Sequence, residues 1–244
     1  MLDKIFNLFD YVSDNLSEEE RAKLAINVAV FGVTGVGKTS TCNVLLGTNW
    51  KVGHTKATTS ETCTKTLQLV RKGELTDTNI RITDFPGLGE SLSADKKYLP
   101  LYMSSIQSFD AILWILSAND RQISQIQEYC NQFVNNYPDF ENKLVIGMNK
   151  ADLVEPTEWG IGGKNLPSRI QEENIMLRET DVYQRMNEEL SDCHVSREKV
   201  VAFSSKYKWR IIKLFEALRK TLPQEKTMSL IRFAKPSNWS SELG

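Results

Sequence analysis

Residues 32 to 39 read Gly32-Val33-Thr34-Gly35-Val36-Gly37-Lys38-Thr39, a GxxxxGK[ST] spacing followed by Ser40. Glycine lets the main chain come close enough to an anion for the N–H groups of Thr34, Gly35, Val36, Gly37, Lys38, Thr39 and Ser40 to point at phosphate oxygens. A lysine at the position of Lys38 reaches the β and γ phosphates, and a hydroxyl at Thr39 ligates Mg²⁺. Such a loop wraps a nucleoside triphosphate. It does not by itself separate ATP from GTP.

A base-reading element comes later, as Asn149-Lys150-Ala151-Asp152 after the apolar run Leu144 to Met148. A carboxylate at Asp152 can accept both the N1–H and the 2-amino group of guanine, whereas adenine would leave it unpaired. The stem of Lys150 can lie over the base, and the Asn149 amide can tie this loop to the phosphate loop. Between the two motifs, Asp84-Phe85-Pro86-Gly87 closes the run Ile80 to Thr83. Asp84 is placed to hold Mg²⁺ through water, and the Gly87 N–H to meet the γ phosphate. Ser204-Ser205-Lys206, after Val200 to Phe203, sits where a further loop would touch the guanine O6.

These motifs need a scaffold, and the chain alternates apolar runs with helical patterns as a mostly parallel α/β sheet covered on both faces does. Strands are expected at 26–31, 66–71, 79–84, 111–117, 144–148 and 200–203. Alternation at Leu67, Leu69, Ile80 and Ile82, around a turn over Lys72 to Thr78, marks one antiparallel hairpin in a six-stranded sheet. Helices are expected at 38–46, 95–108, 121–136, 169–191 and 208–221. An N-terminal extension, 1–23, spaces Leu2, Ile5, Phe6, Leu8, Phe9 and Val12 helically, and Ser17 with Glu20 forms a capping box for a second short helix. The nucleotide domain then covers 24–222 with a helical insertion at about 153–199, and 223–244 reads as a tail.

The formal net charge of −1 provides no global field to draw the chain onto DNA or anionic lipid. Cys42, Cys63, Cys130 and Cys193 lack CxxC spacing, and only His54 and His194 could join them, so a zinc site or disulfide framework is not expected and a reducing cytoplasm fits. The longest uninterrupted apolar run, Ala111 to Leu116, is too short to span a bilayer, and the N-terminus lacks the pattern of a signal peptide.

In this order the four motifs resemble the GTPases of the translation-factor-related class, and Asp84-Phe85-Pro86-Gly87-Leu88-Gly89-Glu90-Ser91 is similar to the Era-like group, over about residues 24 to 222. The stretch Leu113-Trp114-Ile115-Leu116-Ser117-Ala118-Asn119-Asp120-Arg121 is similar to a bacterial Era-like subfamily often found on accessory genetic elements. The resemblance implies a P-loop three-layer fold, GTP and GDP as ligands, Mg²⁺ as cofactor, and slow hydrolysis to GDP and phosphate. It also implies a switch read by a protein effector that the sequence does not name. The second Mg²⁺ threonine is expected in the first switch between Trp50 and Thr66, where the match of Cys63-Thr64-Lys65 to the family pattern favours Thr64 over Thr62.

Two departures stand out. Leu88 occupies the place where many GTPases carry a water-orienting glutamine, which predicts slow intrinsic turnover. Gly35 replaces the asparagine that holds K⁺ in some relatives, so little selective K⁺ stimulation is expected. Arg121 is read first as a solvated arginine and second as a charge-stabilising finger. RNA is disfavoured as a partner, because the stretch after Leu222 is too short for a KH domain. GTP-dependent homodimerisation or assembly, with turnover secondary, is the competing expectation.

Overall fold

Ile26–Gly32 (β1), Ala111–Ser117 (β4) and Leu144–Asn149 (β5) are near-continuous apolar runs, the composition of strands buried on both faces. The computed structural model describes residues 25–46, 62–71, 74–88, 92–120, 123–160, 165–188 and 191–227. The expected N-terminal extension, Arg121 and most of the first-switch segment therefore lie outside the described residues.

With Cys63–Arg71 (β2), Glu74–Asp84 (β3) and Val200–Ala202 (β6), these strands form one sheet in the order β2-β3-β1-β4-β5-β6. β3, β1, β4, β5 and β6 run parallel, and β2 joins the edge antiparallel to β3. The α/β P-loop architecture with one antiparallel strand agrees with the expectation from sequence. Two details differ. Arg71 pairs with Glu74, so the hairpin turn is far shorter than Lys72 to Thr78; the β-branched Thr76 and Thr78 favour extended chain and belong to β3. β2 also starts at Cys63 rather than at residue 66, which takes Thr64 out of the loop and into the ladder opposite Thr83.

Alternation along each strand divides the core in two. Phe31, Ile112 and Trp114 face one side, where Tyr102 of Leu92–Ser105 (α2) and Phe133 of Ser124–Asn136 (α3) meet them. Ile175 and Val182 of Arg169–Met186 (α4) extend the same layer. Val28, Val30, Leu113 and Ile115 face the other side, under Cys42 of Lys38–Leu46 (α1) and Leu214 of Ile211–Arg219 (α5). Phe31 is the hub of the first layer, with ring centroids 4.3 Å from Tyr102, 4.9 Å from Phe85 and 5.7 Å from Trp114.

α4 ends at Met186, short of the expected residue 191. Asn187 stops it by turning its amide to Val195, donating to that carbonyl at 3.0 Å and accepting from that N–H at 3.2 Å. Among the described residues no helix is long and apolar enough to cross a membrane.

Candidate functional site

Because five strands are parallel, their C-terminal ends share one edge of the sheet, where open α/β sheets bind ligands. The phosphate loop follows β1, the Asp84 motif follows β3, the Asn149 motif follows β5, and Ser204 follows β6. One edge thus gathers all four motifs.

The loop from Val33 to Gly37 turns into α1 with Gly37 at φ +93°, and a Cβ there would collide with the Asn149 Nδ2. The Asn149 side chain needs that space. Its Nδ2 donates to the Val36 carbonyl at 2.9 Å, and its Oδ1 accepts the Ser205 N–H at 3.0 Å. One buried amide therefore joins the phosphate loop to the loop after β6. Lys38 is 8% exposed and its Nζ lies 3.2 Å from the carbonyl oxygens of both Gly32 and Val33, curled against the loop that it opens into a helix.

Thr39 Oγ1 donates to Asp84 Oδ2 at 2.7 Å. A hydroxyl and a buried carboxylate, side by side at a helix start, make a hard oxygen pair of the kind that suits Mg²⁺. Thr64 does not join them: its hydroxyl is 2.9 Å from that of Thr83 across the hairpin. Thr62 is exposed, and Thr55, Thr58 and Thr59 lie outside the described residues.

The segment after Asp84 lies along the phosphate loop. Thr34 N–H donates to the Leu88 carbonyl and Leu88 N–H to the Gly32 carbonyl, both at 3.3 Å, a parallel bridge between Val33 and Leu88. Gly87 is the residue that permits this closeness, since a Cβ there would strike Thr34. The Leu88 side chain points away into the core and is fully buried. The Tyr102 hydroxyl donates to the Pro86 carbonyl from the same core. Burial, then the nearby Asp84 charge, raises the Tyr102 pKa well above its usual value.

At the other end, Lys150 takes a left-handed φ of 62° and starts the short 3₁₀ turn Ala151–Leu153 that presents Asp152. Asp152 Oδ1 accepts from Ser204 Oγ at 2.7 Å, and the Tyr207 N–H donates to that same Ser204 oxygen at 3.2 Å. Asn149, Asp152, Ser204 and Ser205 are thereby one hydrogen-bonded group. Lys206 is exposed and holds its ammonium 4.7 Å from the Tyr207 ring centroid; hydrogen bonding to Tyr207 raises its pKa. Tyr207 in turn stacks on Trp159 at 5.0 Å, and Trp159 meets Trp209 edge-on at 5.4 Å.

Sequence reasoning missed the side chains of α4 that frame this end. Gln171 Nε2 donates to the carbonyls of Asp152 and Val154 at 3.2 and 2.8 Å. Arg178 reaches the carbonyls of Ala118 and Asp120 after β4. Glu179 accepts from the Ala202 N–H and pairs with Arg197, Arg210 and Lys213. The available signal was the spacing of 171, 175, 178, 179 and 182 on one helix face, which mixes polar with apolar residues.

A parallel sheet that brings a glycine-rich phosphate loop, a strand-end aspartate and an NKxD turn to one edge defines a P-loop, guanine-nucleotide-binding GTPase domain. The family model described as 50S ribosome-binding GTPase matches residues 27–150, and the chain belongs to that family. Two proteins of Escherichia coli (strain K12) are similar to it. The uncharacterized protein YkfA is 29% identical over 86% of this chain and 67% of its own length. The uncharacterized protein YfjP is 29% identical over 84% and 64%. This chain thus spans about two thirds of each relative. Among solved structures, Era in complex with MgGDPNP and nucleotides of 16S ribosomal RNA superposes with a TM-score of 0.57 at 20% identity, over 82% of this chain and 57% of Era. A structure concerning the chloroplast translocon components atToc33 and psToc159, for whose GTPase activity dimerisation is important, gives 0.53 at 18% identity over 81% and 82%. These two likenesses concern the fold.

Proposed function

We propose that this chain binds GTP and GDP with Mg²⁺, hydrolyses GTP slowly, and uses the difference between the two nucleotides as a switch for a protein effector. The observation that carries the reading is the Asn149 amide, which spans from the Val36 carbonyl of the phosphate loop to the Ser205 N–H, next to the Ser204 that holds Asp152, and so ties a triphosphate cradle to the loop of a guanine-reading carboxylate. In this reading Thr34 to Ser40 receive the phosphates, Lys38 offsets charge on the β and γ oxygens, and Asp152 accepts from the base while the Lys150 stem covers it. Ser204, Ser205 and Lys206 border the O6 side. Thr39 and Asp84 would hold Mg²⁺, which when bound supplies positive charge against the phosphate oxygens.

The Gly87 N–H is assigned to the γ oxygen. Thr64 remains the candidate for the second threonine, and to serve, its hydroxyl would have to leave Thr83. Leu88, buried and apolar, orients no water, so unaided turnover is expected on the order of 10⁻⁴ to 10⁻² s⁻¹. Gly35 offers no side-chain oxygen to K⁺. The Leu113 to Arg121 stretch supports placement in the accessory-element Era-like subfamily.

The test is nucleobase choice. Asp152→Asn converts an acceptor into a group that can also donate, which suits the 2-carbonyl of xanthine. Guanine nucleotide affinity should fall about tenfold or more and xanthine nucleotide affinity should rise, by titration with each diphosphate. Unchanged guanine binding in that variant rejects the assignment. A second reading, GTP-dependent dimerisation with turnover secondary, draws support from the translocon neighbour. Mass by light scattering with GTP against GDP separates the two.

A further inference from the structure

Glu179 is 1% exposed, yet it faces three cations. Its Oε1 accepts from the Ala202 N–H at 2.6 Å and from Arg210 Nη2 at 2.8 Å; its Oε2 accepts from Arg197 Nη2 at 3.1 Å, with Lys213 Nζ 3.7 Å away. Burying a carboxylate is a poor route to stability even against cations, because desolvation consumes most of the Coulombic gain. What the cluster does fix is geometry.

Ala202 is the last residue of β6, and Arg210, in left-handed backbone at φ 55°, is the cap of α5. Between them Ser204 and Trp209 exchange two main-chain hydrogen bonds, 3.2 and 3.1 Å, which close residues 204 to 209 into a small ring. A single carboxylate oxygen thus holds both ends of the loop whose Ser204 donates to Asp152. Two turns earlier on the same face of that helix, Gln171 holds the Asp152 carbonyl. We propose that Glu179 is a positioning residue for guanine recognition: it keeps Ser204 where the hydroxyl orients Asp152 toward the N1 and 2-amino edge of the base. This rests on the reading of the site as a GTP site.

The probes are GDP, inosine diphosphate, which lacks the 2-amino group, and ADP, each competing against a fluorescent guanine nucleotide on the full chain. Wild type should rank them in that order. Glu179→Gln should weaken GDP about tenfold but inosine diphosphate only about threefold, so that the preference for the 2-amino group narrows about threefold. Glu216→Gln, which removes a surface pair with Arg219, should leave all three unchanged. A Glu179→Gln protein that melts earlier but keeps the wild-type preference overturns the proposal, because a merely structural role lowers stability without altering base choice. A wild type that does not prefer GDP to ADP rejects the GTP reading itself, a different outcome. Should Glu179→Gln not fold, Arg210→Gln opens the same clasp while leaving Glu179 paired with Arg197 and Lys213, and the same narrowing is expected.

Discussion

Leu88 illustrates how one residue can take two parts through its two halves. Its main chain is hydrogen-bonded to the phosphate loop, while its side chain belongs to the core beside Phe31, Phe85 and Tyr102. Restoring the glutamine found in many GTPases would therefore not restore a water-orienting group. Leu88→Gln buries an amide in an apolar layer and should cost about 2 kcal/mol of stability by urea denaturation, with no gain in single-turnover hydrolysis. A faster rate in that variant would show that the side chain can swing out to the nucleotide. Asn149 is the converse case, a side chain whose donor and acceptor are both spent, which leaves no room for an isostere such as aspartate.

At the level of elements, α2 and α3 are joined by a polar contact within their apolar packing, Tyr129 Oη donating to Asp95 Oδ2 at 2.9 Å. Burial first, and then the Asp95 carboxylate, push the Tyr129 pKa up to about 12. In the unfolded chain the phenol ionises near pH 10. The folded state therefore holds its proton longer, so this contribution to stability is fully present below about pH 10 and is lost as pH climbs toward 12. Tyr102 works in the same direction. Stability should therefore begin to fall near pH 10, and Tyr129→Phe should flatten its pH dependence between pH 10 and 12, measured by urea denaturation followed by circular dichroism. An unchanged slope would show that the Tyr129 phenol does not hold its proton longer in the folded state.

The strands of this scaffold were legible in the sequence because parallel strands buried on both faces write themselves as apolar runs, and α1 was legible to the residue because the phosphate loop fixes its start. The hairpin turn was misread because Thr76 and Thr78 look like turn residues by polarity and like strand residues by branching. Nothing in the sequence signals that β2 begins at Cys63, three residues before the expected start, and so places Thr64 in the ladder. The motif residues could be named from their order alone. The frame around them could not: Glu179 shows only as a polar residue on the mixed face of α4, and Arg197 and Arg210, which have no local signature, meet it only once α4, β6 and α5 are packed.

Across the whole molecule, Lys226 closes the fold. Its ammonium lies 2.7 and 2.8 Å from the two oxygens of Asp110 and 2.8 Å from the Ala25 carbonyl, while Asp110 also accepts the Asn27 N–H at 2.8 Å. Both charged side chains are largely buried, at 13% and 15% exposure. Lys226→Ala leaves that carboxylate with one partner fewer and should cost about 2 to 3 kcal/mol. Nucleotide binding at the far edge should be retained, by the same titrations. If stability is unaltered, the chain after Leu222 is not part of the cooperative unit.

That lock also sets the geometry of anything attached to the domain. Ala25 and Lys226, which are 201 positions apart, touch beside the start of β1, at the pole of the sheet opposite the nucleotide loops. The first and last parts of the described domain thus meet at one point. A short linker could therefore join these two points and new termini could be opened elsewhere without rethreading the sheet.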